Sequence, residues 1–166
     1  MTSLAEFWPP FGLTLNTPRL TIRPVLDEDI PQAVAAARSG VHPPGKSPFS
    51  MPWAELPDEE LAPNMAQWYW RCRANFTPES WTLLLAIWHD DEFLGVQDLG
   101  AKNFKTLKTV GTGSWLKQSA QGPGLRQGDA CRRRELCLRL PERGSGRVRG
   151  GGLEPTITGR IHRPRL

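Results

Sequence analysis

The chain has 166 residues, enough for one domain that buries roughly two-thirds of its unfolded surface if all of it folds. Its three cysteines and three histidines show no CxxC or HxxxH spacing, so neither a disulfide framework nor a zinc site is indicated. The sequence begins without the basic and apolar regions of a signal peptide and has no run of about 18 apolar residues. These features predict a soluble cytoplasmic protein.

Charge and aromatic content divide the chain near residue 125. Residues 1–125 carry 10 Lys and Arg against 13 Asp and Glu, whereas residues 126–166 carry 11 against 4. No aromatic residue follows Trp115, so the last third of the chain has no aromatic side chains for a core. We therefore predict a folded part over residues 1–125 and an Arg- and Gly-rich tail over residues 126–166, which we expect to be disordered.

The first elements are a strand and a helix. Residues 17–24 alternate apolar and polar side chains after a proline, which predicts a strand with Leu20 and Ile22 facing a core. An acidic triplet at 27–29 then precedes a helix over residues 30–38, which ends before a glycine. Acids are favoured at a helix N-terminus, so we interpret the triplet as capping and dipole compensation rather than as catalytic carboxylates.

A proline-rich loop and a second helix follow. The loop, residues 42–57, contains five prolines and two aromatic residues that are expected to pin it, and such loops often line sites. The second helix is predicted from residue 57 to about residue 75, and its apolar stripe is supplied mainly by Met65, Trp68, Tyr69 and Cys72. A ligand cradle formed by Trp68, Tyr69 and Trp70 is the alternative, but packing of this stripe against a sheet is favoured.

The next segment predicts a three-stranded meander. Residues 81–88 form a buried strand, a turn at Asp90-Asp91 leads into a second strand over 93–99, and a polar connection over 102–108 precedes a third strand over 110–116. Glycines 111 and 113 weaken a plain strand, but they suit a bulge or a close approach of the backbone to a ligand.

A glycine loop, Gln-Gly-Pro-Gly-Leu at residues 121–125, follows four residues after the third strand. Glycines permit backbone conformations in which several N–H groups point at one place, which favours an anion. A helix starting just after the loop would reinforce that preference through its dipole. The pattern thus predicts a site for a phosphate or pyrophosphate.

The order of elements and this loop resemble the GNAT superfamily of N-acyltransferases, in particular its branch that acetylates the N-termini of ribosomal proteins. The resemblance covers about residues 12–125 and rests on residues 17–24, Phe93-Leu94-Gly95, Gly113-Ser114-Trp115-Leu116 and the loop at 121–125. It implies an α/β (α+β) fold with a mixed, mainly antiparallel sheet flanked by helices, incomplete on its C-terminal side.

The resemblance also implies acetyl transfer from acetyl-CoA, as cosubstrate, to a primary amine of a protein N-terminus or a small molecule. The strand backbone would bind the pantetheine arm and thioester, and the loop would bind the pyrophosphate. The implied cofactor-binding residues are Ser114, Trp115, Leu116, Gln121, Gly122, Pro123, Gly124, Leu125 and Arg126. Catalytic side chains stay unassigned, because structural roles explain Glu92, Asp98 and His89 at least as well.

The family pattern breaks at Arg126, where the family usually has Gly or Ala. Every basic residue of the tail is arginine, which is typical of a GC-rich coding strand read in another frame. Suitable codons for residues 126–140, moved one base forward, encode an amphipathic helix preceded by glycine. We therefore hypothesise a frameshift near Leu125 or Arg126. A sheet split at this point would lose a covering helix and later strands, which brings the stability and activity of this chain into question.

Two other classes of function stay open. The fold could serve as a noncatalytic CoA-binding remnant. The arginine-rich tail could instead bind nucleic acid through its charge, although it has no interleaved aromatic residue for base stacking. Neither specific nucleic-acid binding nor membrane association is expected.

Overall fold

The computed structural model describes residues 3–43, 45, 47–49, 51–121 and 147–150. Its helices are α1 (Leu4–Phe7), α2 (Ile30–Arg38), α3 (Asp58–Ala74) and α4 (Phe104–Leu107). Its strands are β1 (Leu15–Asn16), β2 (Thr21–Pro24), β3 (Trp81–His89), β4 (Glu92–Ala101), β5 (Thr109–Leu116) and β6 (Arg147–Gly150).

The strands form a single sheet in the order β1-β2-β3-β4-β5-β6. The first five are antiparallel neighbours, whereas β6 pairs with β5 in parallel. The predicted mixed, mainly antiparallel sheet with flanking helices is therefore confirmed. The predicted meander corresponds to β3, β4 and β5.

The first strand is shorter than predicted. β2 begins at Thr21, and the residues before it form a turn back to β1 in which the Thr17 hydroxyl accepts from the Leu20 N–H at 2.7 Å. Leu20 and Ile22 are nevertheless buried, as expected. Helix α2 has the predicted bounds, and α3 begins one residue after the predicted start.

Both faces of the sheet are packed. On the helical face, defined as the side covered by α2 and α3, the cluster includes Val34, Met65, Tyr69, Ala86 and Trp88. On the opposite face the cluster includes Leu83, Leu85, Ile87, Leu99 and Val110, with residues from the N-terminal segment and α4 packed against it. β3 contributes to both clusters because successive side chains of a strand point to opposite faces.

The three aromatic residues of α3 differ in exposure. Tyr69 is buried, whereas Trp68 and Trp70 are 48% and 51% exposed. The predicted apolar stripe is therefore wrong for Trp68, and the buried positions of α3 are Leu61, Met65, Tyr69 and Cys72. Consecutive residues lie about 100° apart around a helix, so the three aromatic side chains do not form one cradle.

The polar connection between β4 and β5 contains the short helix α4, flanked by Asn103 and Lys108 at positive φ. The predicted tail at 126–166 includes β6, whose backbone pairs with Thr109–Thr112 of β5. The other tail residues lie outside the described ranges, so the division of the chain at residue 125 stays a prediction. No helix within the described ranges is long and apolar enough to cross a membrane.

Candidate functional site

The candidate site lies at the carboxyl end of β5. The parallel pairing described between β5 and β6 runs from Thr109, opposite Arg147, to Thr112, opposite Gly150. β5 continues to Leu116, and over Gly113–Leu116 its only strand partner among the described residues is β4. As far as the structure describes the chain, the end of β5 therefore presents a backbone edge without a strand partner on the side away from β4.

The direction of the backbone groups follows from two hydrogen bonds. The Lys117 N–H donates to the Leu94 carbonyl of β4 at 2.8 Å. Backbone groups of successive strand residues alternate sides, so the N–H groups of Ser114 and Leu116 point away from β4. Accordingly, the Leu116 carbonyl on that side accepts from the Gln121 side chain at 2.7 Å. An extended ligand at this edge would meet the backbone of Ser114, whose residue is exposed.

The β-bulge of the site lies in β4 rather than at the glycines of β5. The β3–β4 register shifts between Ile87, opposite Gly95, and Trp88, opposite Phe93. In contrast, the β4–β5 register runs without a shift from Leu116 to Gly111. The sequence expectation of a bulge at glycines 111 and 113 therefore differs from the structure, whose register change is at Leu94.

Gly95 explains why this part of β4 needs glycine. A Cβ atom at this position would lie 2.1 Å from the Trp115 carbonyl oxygen and 2.8 Å from the Leu116 Cα. Both contacts are with backbone, which cannot rotate away as a side chain does. Gly95 therefore permits the close approach of β4 and β5 at two of the predicted site residues. A glycine between the apolar residues Leu94 and Val96 of a strand is the sequence signal that indicates such a contact.

Trp115 is held by an aromatic cluster formed largely by the loop before α3. Its ring centroid lies 5.4 Å from that of Trp53 and 6.3 Å from that of Phe93, and Trp53 contacts Phe49 at 5.4 Å. Such tilted ring pairs are favourable beyond their buried area. The proline-rich loop is thus pinned beside the candidate site by the aromatic residues that the sequence indicated.

The segment after β5 is attached to the region after α2. The Gln118 N–H donates to the Gly40 carbonyl at 2.7 Å, and Gln121 Nε2 donates to the carbonyls of Val41 and Leu116 at 2.6 and 2.7 Å. The Gln121 side chain therefore fastens this segment to the fold. The remaining predicted loop residues, Gly122, Pro123, Gly124, Leu125 and Arg126, lie outside the described residues, so the pyrophosphate site stays a prediction.

The carboxylates near the site have different partners. Glu92 forms an ion pair with Lys117, and that hydrogen bond lowers the pKa of the carboxyl group. His89 is the last residue of β3, beside the turn, with Nδ1 3.7 Å from Asp90 Oδ2. These placements match the structural roles expected for the two residues. Asp98, in contrast, reaches across to β5 and accepts the Gly113 N–H.

Cys72 lies on α3, on the helical face of the sheet. Burial, followed by the charge of Asp98, raises the pKa of its thiol to about 11. A thiol with this pKa is almost entirely protonated at neutral pH and is a poor nucleophile. Within the described ranges, no group of three or more His, Cys, Asp or Glu residues could hold a metal ion.

A second cleft, of about 380 Å³, opens beside the carboxyl-terminal half of α3. Trp68, Arg71, Asn75, Trp81 and Lys102 are among its lining residues. The cleft lies at the Gly100 end of β4, whereas the candidate site lies at the Gly95 end. The structure therefore separates the exposed Trp68 from the predicted site residues.

Solved structures with the same arrangement of elements are acetyltransferases. One probable acetyltransferase superposes with a TM-score of 0.58 at 16% sequence identity, covering 78% of this chain and 69% of its own. RimL, a ribosomal L7/L12 alpha-N-protein acetyltransferase in complex with coenzyme A, gives 0.55 at 17% identity, covering 82% and 73%. The chain has the fold of the GNAT acetyltransferases.

A spermidine N-acetyltransferase chimera of the SpeG enzyme from Vibrio cholerae and hSSAT also has the GNAT fold. It superposes with a TM-score of 0.52 at 10% identity, covering 74% of this chain and 64% of its own. No family model matches the sequence. At these identities the likeness establishes the GNAT fold, and the acceptor has to be inferred from the site.

Proposed function

We propose that this chain derives from an N-acetyltransferase that transfers an acetyl group from acetyl-CoA to a primary amine. The observation that carries the proposal is the edge of β5 at Gly113–Leu116, which has β4 as its only strand partner within the described part of the chain. An extended pantetheine arm has amide groups that can pair with such an edge in the manner of an added strand. The GNAT fold of the chain and the coenzyme A bound in RimL are consistent with this assignment.

The residues around the edge fit such a ligand. Ser114 is exposed, and its backbone N–H points away from β4, so a ligand amide can approach without displacing a side chain. The Leu116 N–H, which points to the same side, would continue the contact, Trp115 would adjoin it, and the loop at Gln121–Arg126 would lie next to the phosphates. No metal is required for this reaction class.

The reaction is a direct acyl transfer. The amine nitrogen attacks the thioester carbonyl carbon, a C–N bond forms and the C–S bond breaks. The amine loses one proton to a base, and the departing CoA thiolate gains one. Backbone N–H groups at the β5 edge would orient the carbonyl and stabilise the negative charge that develops on its oxygen. The base and the thiolate donor stay unassigned.

The acceptor is a protein N-terminus or a small-molecule amine. Both classes occur among the structural neighbours, in the ribosomal-protein and spermidine acetyltransferases. Release of CoA thiol should be measured with a peptide that begins with a free α-amine and, separately, with spermidine. Turnover with one of them and not the other would assign the class.

Two variants at Ser114 test whether the backbone edge binds the cosubstrate. Ser114→Pro removes the outward N–H, whereas Ser114→Ala keeps it and removes only the hydroxyl. We expect the proline variant to weaken CoA binding about tenfold or more, since a lost hydrogen bond in a desolvated site costs about 1–3 kcal/mol. The alanine variant should bind as the unaltered chain does. Equal CoA affinity in both variants would contradict the proposal.

The alternatives give different results in the same binding experiment. Thermal stabilisation by acetyl-CoA without turnover of any amine would indicate a noncatalytic CoA-binding remnant. RNA binding that falls steeply with salt, without any effect of CoA on the protein, would favour the nucleic-acid class.

The hypothesis of a frame change near Leu125 or Arg126 belongs with this proposal. If it is correct, the coding DNA read one base forward from that point encodes an amphipathic helix preceded by glycine, and the protein made in that frame turns over acetyl-CoA faster than this chain. An uninterrupted alternative frame without such a helix would rule it out.

A further inference from the structure

We infer that Asp98 and Gln97 are positioning residues that fix the backbone of β5 at Gly113 and thereby orient the edge that binds the acyl thioester. The inference rests on the proposed function. It concerns two adjacent side chains of β4 that bind the two backbone groups of one residue on β5.

Gly113 lies opposite Asp98 in the β4–β5 register, and its backbone also receives contacts from two side chains of β4. Its N–H donates to the carboxylate of Asp98. Its carbonyl accepts from Gln97 Nε2 at 2.6 Å, and the same nitrogen donates to the Asp98 carbonyl at 2.6 Å. Side chains of β4 therefore form hydrogen bonds with both the N–H and the carbonyl of Gly113. We call this arrangement the Gly113 clamp.

Glycine at position 113 makes room for the clamp. A Cβ atom here would lie 2.7 Å from Asp98 Oδ2 and 2.9 Å from Oδ1. The carboxylate would have to move, and its hydrogen bond to the Gly113 N–H would be lost. The glycine that the sequence linked to a bulge or a ligand is thus explained by the space that Asp98 occupies.

The orientation of Gln97 is determined by its surroundings. The residue is 3% exposed, and its Nε2 faces two carbonyl oxygens, which only the amide hydrogens can satisfy. Its Oε1 is buried and has no hydrogen-bond partner in the part of the chain that the structure describes. A buried acceptor without a partner costs free energy. The two hydrogen bonds that Gln97 Nε2 donates, to the carbonyls of Gly113 and Asp98, offset that cost.

The position of the clamp along β5 gives it a function. The described pairing with β6 covers Thr109–Thr112, and the clamp holds the next residue of β5. Beyond it, Ser114 begins the edge that would pair with the ligand. By fixing the peptide units on both sides of Gly113, Asp98 and Gln97 set the direction of the Ser114 N–H without touching the ligand themselves.

Asp98→Ala and Asp98→Asn separate positioning from charge. The alanine variant removes the acceptor for the Gly113 N–H, whereas asparagine keeps an acceptor oxygen and loses the charge. We expect amide hydrogen exchange at Gly113 and the Kd for CoA each to rise about tenfold or more in Asp98→Ala, and to stay within about threefold in Asp98→Asn. Asp91→Ala, in the exposed β3–β4 turn, is the matched control.

Gln97→Met provides a second test if Asp98→Ala does not fold. This substitution keeps the length of the side chain and removes the two amide hydrogens that Gln97 donates. The matched control is Gln67→Met, at an exposed position on α3. We expect weaker CoA binding in Gln97→Met at an unchanged far-ultraviolet circular dichroism spectrum. A variant that merely lost stability would keep the Kd of the unaltered chain below its melting temperature.

Three results would overturn the inference. The first is an unchanged exchange rate at Gly113 in Asp98→Ala. The second is an unchanged Kd for CoA in folded Asp98→Ala and folded Gln97→Met. The third is an Asp98→Asn variant that is as impaired as Asp98→Ala, which would show that the charge of Asp98 matters rather than its position. Absence of CoA binding by the unaltered chain would instead overturn the proposed function, and with it the ligand part of the inference.

Discussion

The two faces of the sheet are stabilised in different ways. The opposite face presents a row of apolar side chains from β3, including Leu83, Leu85 and Ile87, to other apolar residues. The helical face combines its apolar contacts with buried polar groups, among them Tyr69 and Trp88, whose OH and Nε1 have no hydrogen-bond partner among the described residues. The opposite face is therefore stabilised mainly by the burial of apolar surface, whereas the stability of the helical face also depends on the contacts of its polar groups.

An ion pair at the entrance of α2 belongs to the helical face. Arg23 donates to both carboxylate oxygens of Asp29 at 2.7 and 2.8 Å, and the Leu26 N–H donates to Asp29 Oδ2 at 2.7 Å. The Arg23 guanidinium also lies 5.2 Å from the centre of the Trp88 ring. The pair therefore links β2, the start of α2 and the aromatic core of this face.

Breaking this pair should have the largest effect on stability. Asp29 is 1% exposed, so Asp29→Ala leaves Arg23 without its partner and should lower the free energy of unfolding by about 3–5 kcal/mol. Urea denaturation measures the change. Asp27→Ala, which removes an exposed ion pair with Arg73, is the control and should cost about 1 kcal/mol or less.

A double substitution sharpens the test. Arg23→Met with Asp29→Leu removes both charges and should be less destabilising than Asp29→Ala alone. If the single and double variants are equally unstable, the loss at Asp29 is one of packing, and the difference between the two faces is smaller than described.

Truncating the apolar face should have the next largest effect. Leu85 is 1% exposed in the centre of β3, so Leu85→Ala should lower the free energy of unfolding by about 2–5 kcal/mol, depending on how far the neighbours relax. Leu107→Ala, on a residue 58% exposed in α4, should stay within about 0.5 kcal/mol. Equal losses for both leucines would show that the opposite face is not a packed core.

The smallest predicted effect is a pH dependence from the helical face. The pKa of Cys72 is about 11 in the folded chain against a reference value of 9.0, because the buried thiol resists ionisation. A raised folded pKa contributes stability that is complete below pH 9 and is lost as the pH rises toward 11. We therefore expect the melting temperature to fall across this interval.

Cys72→Ala should flatten that part of the pH profile. The thiol should also react slowly with a disulfide reagent at pH 8 in the folded chain and quickly in urea. An equally steep profile in Cys72→Ala would assign the pH dependence to other groups, such as Tyr69, whose pKa burial also raises.

The sequence predicted those elements whose signals are local. Helix α2 was found at its predicted bounds because Pro31 near its start and Gly40 after its end mark the limits of a helix. The apolar run at 81–88 predicted β3 because a strand buried on both faces lacks alternation. Ser114, Trp115 and Leu116 were placed on a strand as the end of the third strand of the predicted meander.

The features missed by the sequence depend on contacts between distant residues. The sequence favoured a capping role for Asp29, and its pairing with Arg23 requires β2 and α2 to be placed first. Trp68 was assigned to a buried stripe because helical spacing alone does not fix the angle of a helix on its sheet. The Gly113 clamp joins residues 15 positions apart and leaves no periodic signal.

The contact between Gly95 and Trp115 limits how this gene can change. Every single-base change that replaces a glycine codon with that of another amino acid introduces a Cβ atom, and at position 95 that atom would overlap the Trp115 carbonyl. At Gly100, in the same strand, the nearest atom to a Cβ is 3.5 Å away, which is an ordinary contact. In a saturation library selected for folded protein, we therefore expect position 95 to remain glycine while position 100 accepts small residues.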